Sequence, residues 1–75
     1  MANKYEQLHE YKFDDLGQMI RFLQNNGYCF KIDSETKKDI YVLEKGEYRD
    51  KSHHFEIGEV TYKSGNTFFV LNKKD

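Results

Sequence analysis

One segment of this sequence, residues 14–26, has the period of an amphipathic helix, and it limits the folds that the chain can reach. Four apolar side chains follow the spacing i, i+3, i+4, i+7 that gives a helix one apolar stripe: Leu16, Met19, Ile20 and Leu23. Asp14 is the predicted N-cap, because its carboxylate can accept the free N–H groups of the first turn. Gly27 is predicted to end the helix in the left-handed conformation. A helix with one apolar stripe needs a second layer to cover it, and the other segments of the chain have to supply that layer.

The remaining apolar segments alternate with a period of two, which is typical of strands. They predict strands over residues 28–32, 40–43, 55–62 and 67–71, with a hairpin turn over Lys63–Asn66 before the last strand. Gly58 lies where the apolar period shifts by one residue, and the shift predicts a β-bulge there. Phe68 and Phe69 are neighbours in a predicted strand, so their side chains are expected on opposite faces of the sheet.

The first segment has two competing interpretations. Alternation over residues 8–13 favours a strand, because Tyr11 and Phe13 suit a pleated surface. The alternative is a helix that begins at Asn3 and brings Tyr5 and Leu8 one turn apart. With the strand, the element order is β-α-β-β-β-β. The sequence then predicts one α+β domain over residues 1–75, with one helix on a four- to five-stranded, mainly antiparallel sheet.

The predicted core lies between the helix stripe and one face of the sheet. We expect it to hold three helix residues and three strand residues: Leu16, Ile20, Leu23, Phe30, Val42 and Phe55. A single helix covers only part of a sheet of this width, so the role of the other face of the sheet is the functional question.

Size and composition restrict the function. A chain of 75 residues has little material for the deep cleft in which enzymes gather polar groups. One cysteine cannot form an internal disulfide, and small secreted domains usually need several. The first residues do not match a signal peptide, and no apolar stretch approaches the roughly 20 residues of a membrane span. The sequence therefore predicts a cytoplasmic protein that does not bind membranes.

The residues that could carry chemistry form no recognised site. His53 and His54 are adjacent, so a strand points them to opposite faces. His54 and Glu56 share a face and would need His9 beside them to make a three-ligand zinc site. Cys29 on a strand is interpreted as a small core residue rather than a nucleophile. We therefore predict no catalytic residues, no metal and no cofactor, and a chain that is not an enzyme.

Residues 63–70 resemble the basic, glycine and aromatic run of RNA-recognition strands, in which exposed rings stack on bases. The resemblance covers about eight residues, lacks the second glycine of that run, and comes in a chain with one helix fewer than that fold. The net charge of −1 lacks the basic excess of proteins that hold nucleic acid through its phosphates. Single-stranded nucleic-acid binding is therefore the alternative function.

The leading hypothesis is a non-catalytic protein-binding module, which binds another protein or a second copy of itself as a homodimer. Aromatic residues make up 16% of the chain, more than one short helix can cover, and tyrosine is enriched at protein interfaces. Abundant Lys, Asn, Tyr and Phe beside one Ala are typical of AT-rich genomes, which indicates a low-GC bacterium or a phage. The candidate binding residues are Tyr41, Tyr62, Phe68, Lys31 and Lys63.

Overall fold

The computed structural model describes residues 4–74, and over these residues the chain has the predicted α+β fold. One short 3₁₀ helix (η1), one α-helix (α1) and five strands (β1–β5) follow each other along the chain: η1 Glu6–Glu10, β1 Lys12–Phe13, α1 Leu16–Asn25, β2 Cys29–Ile32, β3 Asp39–Glu44, β4 Lys51–Thr61 and β5 Thr67–Lys74. The strands form one antiparallel sheet in the order β1-β5-β4-β3-β2. No helix within residues 4–74 is long and apolar enough to cross a membrane.

Strand register assigns each side chain to one of two faces, because paired residues of antiparallel strands lie on the same face. Ile40 of β3 pairs with Phe55 of β4, and both side chains are fully buried beneath the helical elements. We call this the helix face. The opposite side, which carries Tyr41 and its partner His54, is called the open face.

Local hydrogen bonds define both ends of α1. The N-cap is Asp15 rather than the predicted Asp14, and its Oδ1 accepts the Gln18 N–H at 2.7 Å. At the other end Gly27 has a φ of +76°, as predicted for a residue that closes a helix. The N–H groups of Gly27 and Tyr28 donate to the carbonyls of Gln24 and Leu23, which is the Schellman pattern.

The core confirms part of the predicted set. Leu23, Val42 and Phe55 are each fully buried, whereas Ile20 and Phe30 are only half-buried. Leu16 was predicted to be buried and is 43% exposed. Because α1 begins at Leu16, its first turn lies at the edge of the packed region, and the helix buries Met19 and Leu23 instead. The buried cluster contains Leu8, Phe13, Met19, Leu23, Tyr28, Ile40, Val42, Phe55 and Leu71.

The first segment combines elements of both interpretations, while Asn3 lies outside the described residues. Residues Glu6–Glu10 form η1, which buries Leu8 in the core and packs against β5. Only Lys12–Phe13 is a strand, and it pairs with β5 at the sheet edge. The predicted strand over residues 8–13 is therefore wrong for its first half. The alternation of side chains suggested a strand there, but Leu8 is buried by a helical turn, and the alternation does not distinguish the two.

The predicted bulge at Gly58 is also wrong. Pairing between β4 and β5 runs without interruption from His54 opposite Lys74 to Thr61 opposite Thr67, and Gly58 lies opposite Val70. The apolar period shifts because β4 carries apolar residues on both faces: Phe55 and Ile57 lie on the helix face, whereas Val60 lies on the open face and is 36% exposed. A long strand with apolar residues on both faces needs no inserted residue.

Candidate functional site: the open face of the sheet

The open face carries a row of side chains that crosses four strands. Register places Lys31, Tyr41, His54 and Lys74 next to one another on β2, β3, β4 and β5. The next row contains Asp39, Glu56 and Asn72. Basic and aromatic groups in one row thus lie beside acidic groups in the next, and no helix of the described chain packs over either row.

Tyr41 and His54 are direct cross-strand neighbours in the first of these rows. Their rings stack at 4.5 Å between centroids with 17° between planes. The His54 Nε2 donates to Oδ1 of Asp39 at 2.8 Å. Hydrogen bonds from the His54 and Thr36 side chains hold the pKa of the Asp39 carboxyl below its usual range. Tyr41 is therefore held in a defined orientation while its side chain stays 38% exposed.

Two shallow hollows flank Lys31 and Tyr41. One, of about 340 Å³, is lined by those two residues with the polar turn residues Asp33, Ser34 and Glu35. The other, of about 290 Å³, adds Cys29, Phe30, Leu43 and Ser52 and is mainly apolar. This end of the open face therefore offers concave surface beside an exposed ring and a lysine.

A second aromatic group lies at the far end of the same face. The rings of Tyr62 and Phe68 meet edge to face at 5.4 Å, and the Lys12 Nζ lies 4.8 Å from the centroid of Tyr62. Val60 pairs with Phe68 and is 36% exposed. Val60 lies six positions after His54 along β4, so the two ends of the open face are about 20 Å apart.

Four of the five predicted binding residues therefore form two groups. Lys31 and Tyr41 lie side by side at one end of the open face, and Tyr62 packs on Phe68 at the other. Lys63 lies in the loop between β4 and β5, beyond the strand that carries Phe68. Sequence reasoning missed the stacked His54 and its bond to Asp39, because only the β3–β4 register places residues so far apart in sequence in contact.

The lone cysteine is not the core residue that was predicted. Cys29 is exposed and lies on the open face opposite Leu43, because β2 is an edge strand and its open-face side chains have neighbours on one side only. A strand side chain is buried only where a second layer covers its face, and no helix of the described residues covers the open face at Cys29.

His53 and His54 point to opposite faces, as predicted. His53 lies on the helix face, where its Nε2 donates to Oε1 of Glu44 at 2.7 Å and its ring stacks on Tyr5. His9 lies in η1, while Glu56 and His54 lie on the open face, so these three residues are not brought together. Within residues 4–74, no group of three His, Cys, Asp or Glu side chains is arranged to hold a metal ion.

An aspartate that orients a histidine is also a component of catalytic sites that activate a hydroxyl or thiol nucleophile. Across the part of the chain that the structure describes, the only side-chain hydrogen bond of His54 is the one to Asp39. Within the described residues the pair therefore orients the Tyr41 ring.

Comparison of the chain with protein-family models, with curated proteins and with solved structures found no match.

Proposed function

We propose that this chain is a non-catalytic protein-binding module that binds its partner through the open face of its sheet. The observation that carries the proposal is the exposure of Tyr41 and Tyr62, 38% and 39%, on a face that no helix within residues 4–74 covers. Tyrosine combines a large apolar ring with a polar tip and loses little entropy when it is immobilised, which suits it to interfaces. We also propose, from the composition, a cytoplasmic accessory protein of a low-GC bacterium or a phage.

The two rings are expected to act as anchors for the partner. Tyr41 is already held by stacking on His54, and Tyr62 by contact with Phe68 and Lys12. A ring that is ordered before binding loses less freedom on binding than a free one, so more of the contact energy appears as affinity. The apolar hollow beside Tyr41 provides room for a partner side chain.

The proposal is tested by capturing a partner with the tagged chain, purifying that partner, and measuring its affinity for three variants. Tyr41→Ala and Tyr62→Ala are each expected to weaken binding about tenfold or more, as for central aromatic anchors. Tyr48→Ala is the matched control, because this side chain is 94% exposed and lies in the β3–β4 loop. Equal affinity of all three variants would show that the open face is not the contact surface.

Single-stranded nucleic-acid binding is the second candidate, since each exposed ring has a lysine beside it. Lys31 is the cross-strand neighbour of Tyr41, and Lys12 lies over the ring of Tyr62. Proteins of this class stack bases on such rings and hold phosphates with such lysines. Asp39 and Glu56 on the same face oppose an anionic ligand, which is why we rank this function second.

Fluorescence anisotropy with a labelled single-stranded oligonucleotide separates the two functions. We expect only non-specific binding at physiological salt, with a Kd on the order of 10⁻⁴ to 10⁻⁶ M. Submicromolar binding that weakens steeply with salt, and that is lost in Phe68→Ala and Tyr62→Ala, would reverse our ranking.

A further inference from the structure

The backbone of β2 has hydrogen-bonding groups that point away from the sheet. The Asp33 N–H donates to the Asp39 carbonyl at 2.8 Å, in the same register that pairs β2 with β3. In an antiparallel pair the bonded positions alternate, so Lys31 and Cys29 bond to β3. The N–H and C=O groups of Phe30 and Ile32 therefore point outward, along the edge of the sheet.

The two edges of the sheet differ. At the other edge, β1 consists of Lys12–Phe13 alone, and η1 packs against the neighbouring β5. At the β2 edge, α1 precedes the strand, and the Tyr28 N–H bonds back to the helix carbonyl of Leu23. The helix therefore satisfies the outward N–H of Tyr28. The next outward groups along β2 are those of Phe30 and Ile32. A sheet edge with unpaired backbone N–H and C=O groups is a site where an extended chain can add a strand.

The side chains of β2 indicate what kind of strand would fit. Phe30 and Ile32 are half-buried on the helix face, where they pack against the core. Lys31 lies between them on the open face, is exposed, and forms no ion pair within the described residues. A matching strand would therefore place apolar side chains beside Phe30 and Ile32 and a carboxylate beside Lys31, since opposite charges on neighbouring strands stabilise pairing.

A second copy of this chain does not supply a carboxylate beside Lys31 when its β2 pairs antiparallel with the first β2 over the whole strand. Bonding Phe30 to Ile32 of the second copy, and the reverse, would place the two Lys31 side chains directly opposite each other. Like charges directly opposite one another destabilise strand pairs, and a lysine on an edge strand is a known means of preventing self-pairing. The charge at this position thus favours an acidic partner over a second copy.

We propose that β2 accepts an extended apolar–acidic–apolar segment of a partner protein as an additional strand, with the acidic side chain beside Lys31. The proposal rests on the protein-binding function proposed above and names the partner's chemistry and its mode of binding. The mainly apolar hollow beside Lys31 and Tyr41 lies on the same edge, so it is available to side chains that flank the acidic residue of the added strand.

The test is an NMR titration of the ¹⁵N-labelled chain with the peptide acetyl-Thr-Ile-Glu-Ile-Thr-amide. We expect the amide signals of Phe30 and Ile32 to shift and their hydrogen exchange to slow, because these groups gain hydrogen-bond partners. The control peptide acetyl-Thr-Ile-Lys-Ile-Thr-amide should bind about fivefold more weakly or worse. Lys31→Glu should reverse this preference, whereas Lys45→Glu, the same change in the β3–β4 loop, should leave it intact.

Three outcomes would overturn the proposal. One is that neither peptide shifts the Phe30 and Ile32 signals at millimolar concentration, and another is that both bind equally. The third is that sedimentation shows a dimer whose Phe30 and Ile32 amides are protected without peptide, which would assign the edge to a second copy. Failure of the proposed function is detected by a different measurement. In that case Tyr41→Ala and Tyr62→Ala would leave the affinity for the captured partner unchanged, whether or not the peptide binds to β2.

Discussion

Replacement of Leu23 by alanine is expected to lower the free energy of unfolding by about 2–5 kcal/mol, the usual range for a leucine-to-alanine change in a core. Leu23 is fully buried between α1 and the helix face of the sheet. The change removes apolar contacts and leaves a cavity that a small core can fill only in part. Urea unfolding followed by circular dichroism measures the loss, provided that the variant still folds.

Leu16→Ala is the matched control on the same helix. Leu16 is 43% exposed, so this change is expected to cost less than about 1 kcal/mol. If the two variants lose equal stability, the stripe of α1 that faces the sheet has been assigned incorrectly. A loss of less than about 1 kcal/mol for Leu23→Ala would lead to the same conclusion.

Gly46→Ala is expected to cost roughly 1–3 kcal/mol, the range for changes that force the backbone to move. Gly46 lies in the loop between β3 and β4, where its N–H donates to Oδ1 of Asp50. A Cβ built on Gly46 would clash with the carbonyl oxygen of Arg49. Because this neighbour is backbone, the loop itself must open, and the unfolding midpoint should fall.

Gly58→Ala provides the comparison in a regular strand. Its Cβ would meet the Nδ2 of Asn72 at 2.5 Å, which is the end of an exposed side chain that can rotate away. Glycine inside a strand is itself unfavourable by about 0.5–1 kcal/mol relative to alanine, so we expect little net change. A larger loss of stability for Gly58→Ala than for Gly46→Ala would contradict both the backbone clash at Gly46 and the movable contact at Gly58.

The candidate site was predictable in part. The two-residue period indicated that Phe68 and Phe69 face opposite ways, and Phe69 packs against the core whereas Phe68 contacts Tyr62 on the open face. Nothing in the sequence indicated that Tyr41 stacks on His54, because the strands that carry them pair through a register that no local pattern encodes.

What the sequence determined by itself is local. The helix period, the left-handed Gly27, and the glycine turn at Gly65, with a φ of +92°, depend on the conformational preferences of a few neighbouring residues. The α+β class follows from these preferences together with the strand alternation.

Only the tertiary structure decided which surfaces are covered. The strand order β1-β5-β4-β3-β2 makes Cys29 and Lys31 edge residues, and the start of α1 leaves Leu16 exposed. These outcomes depend on contacts between residues distant in sequence. Whether a side chain is buried is decided by the packing of the whole chain around it, and the same local pattern is compatible with a covered or an open edge.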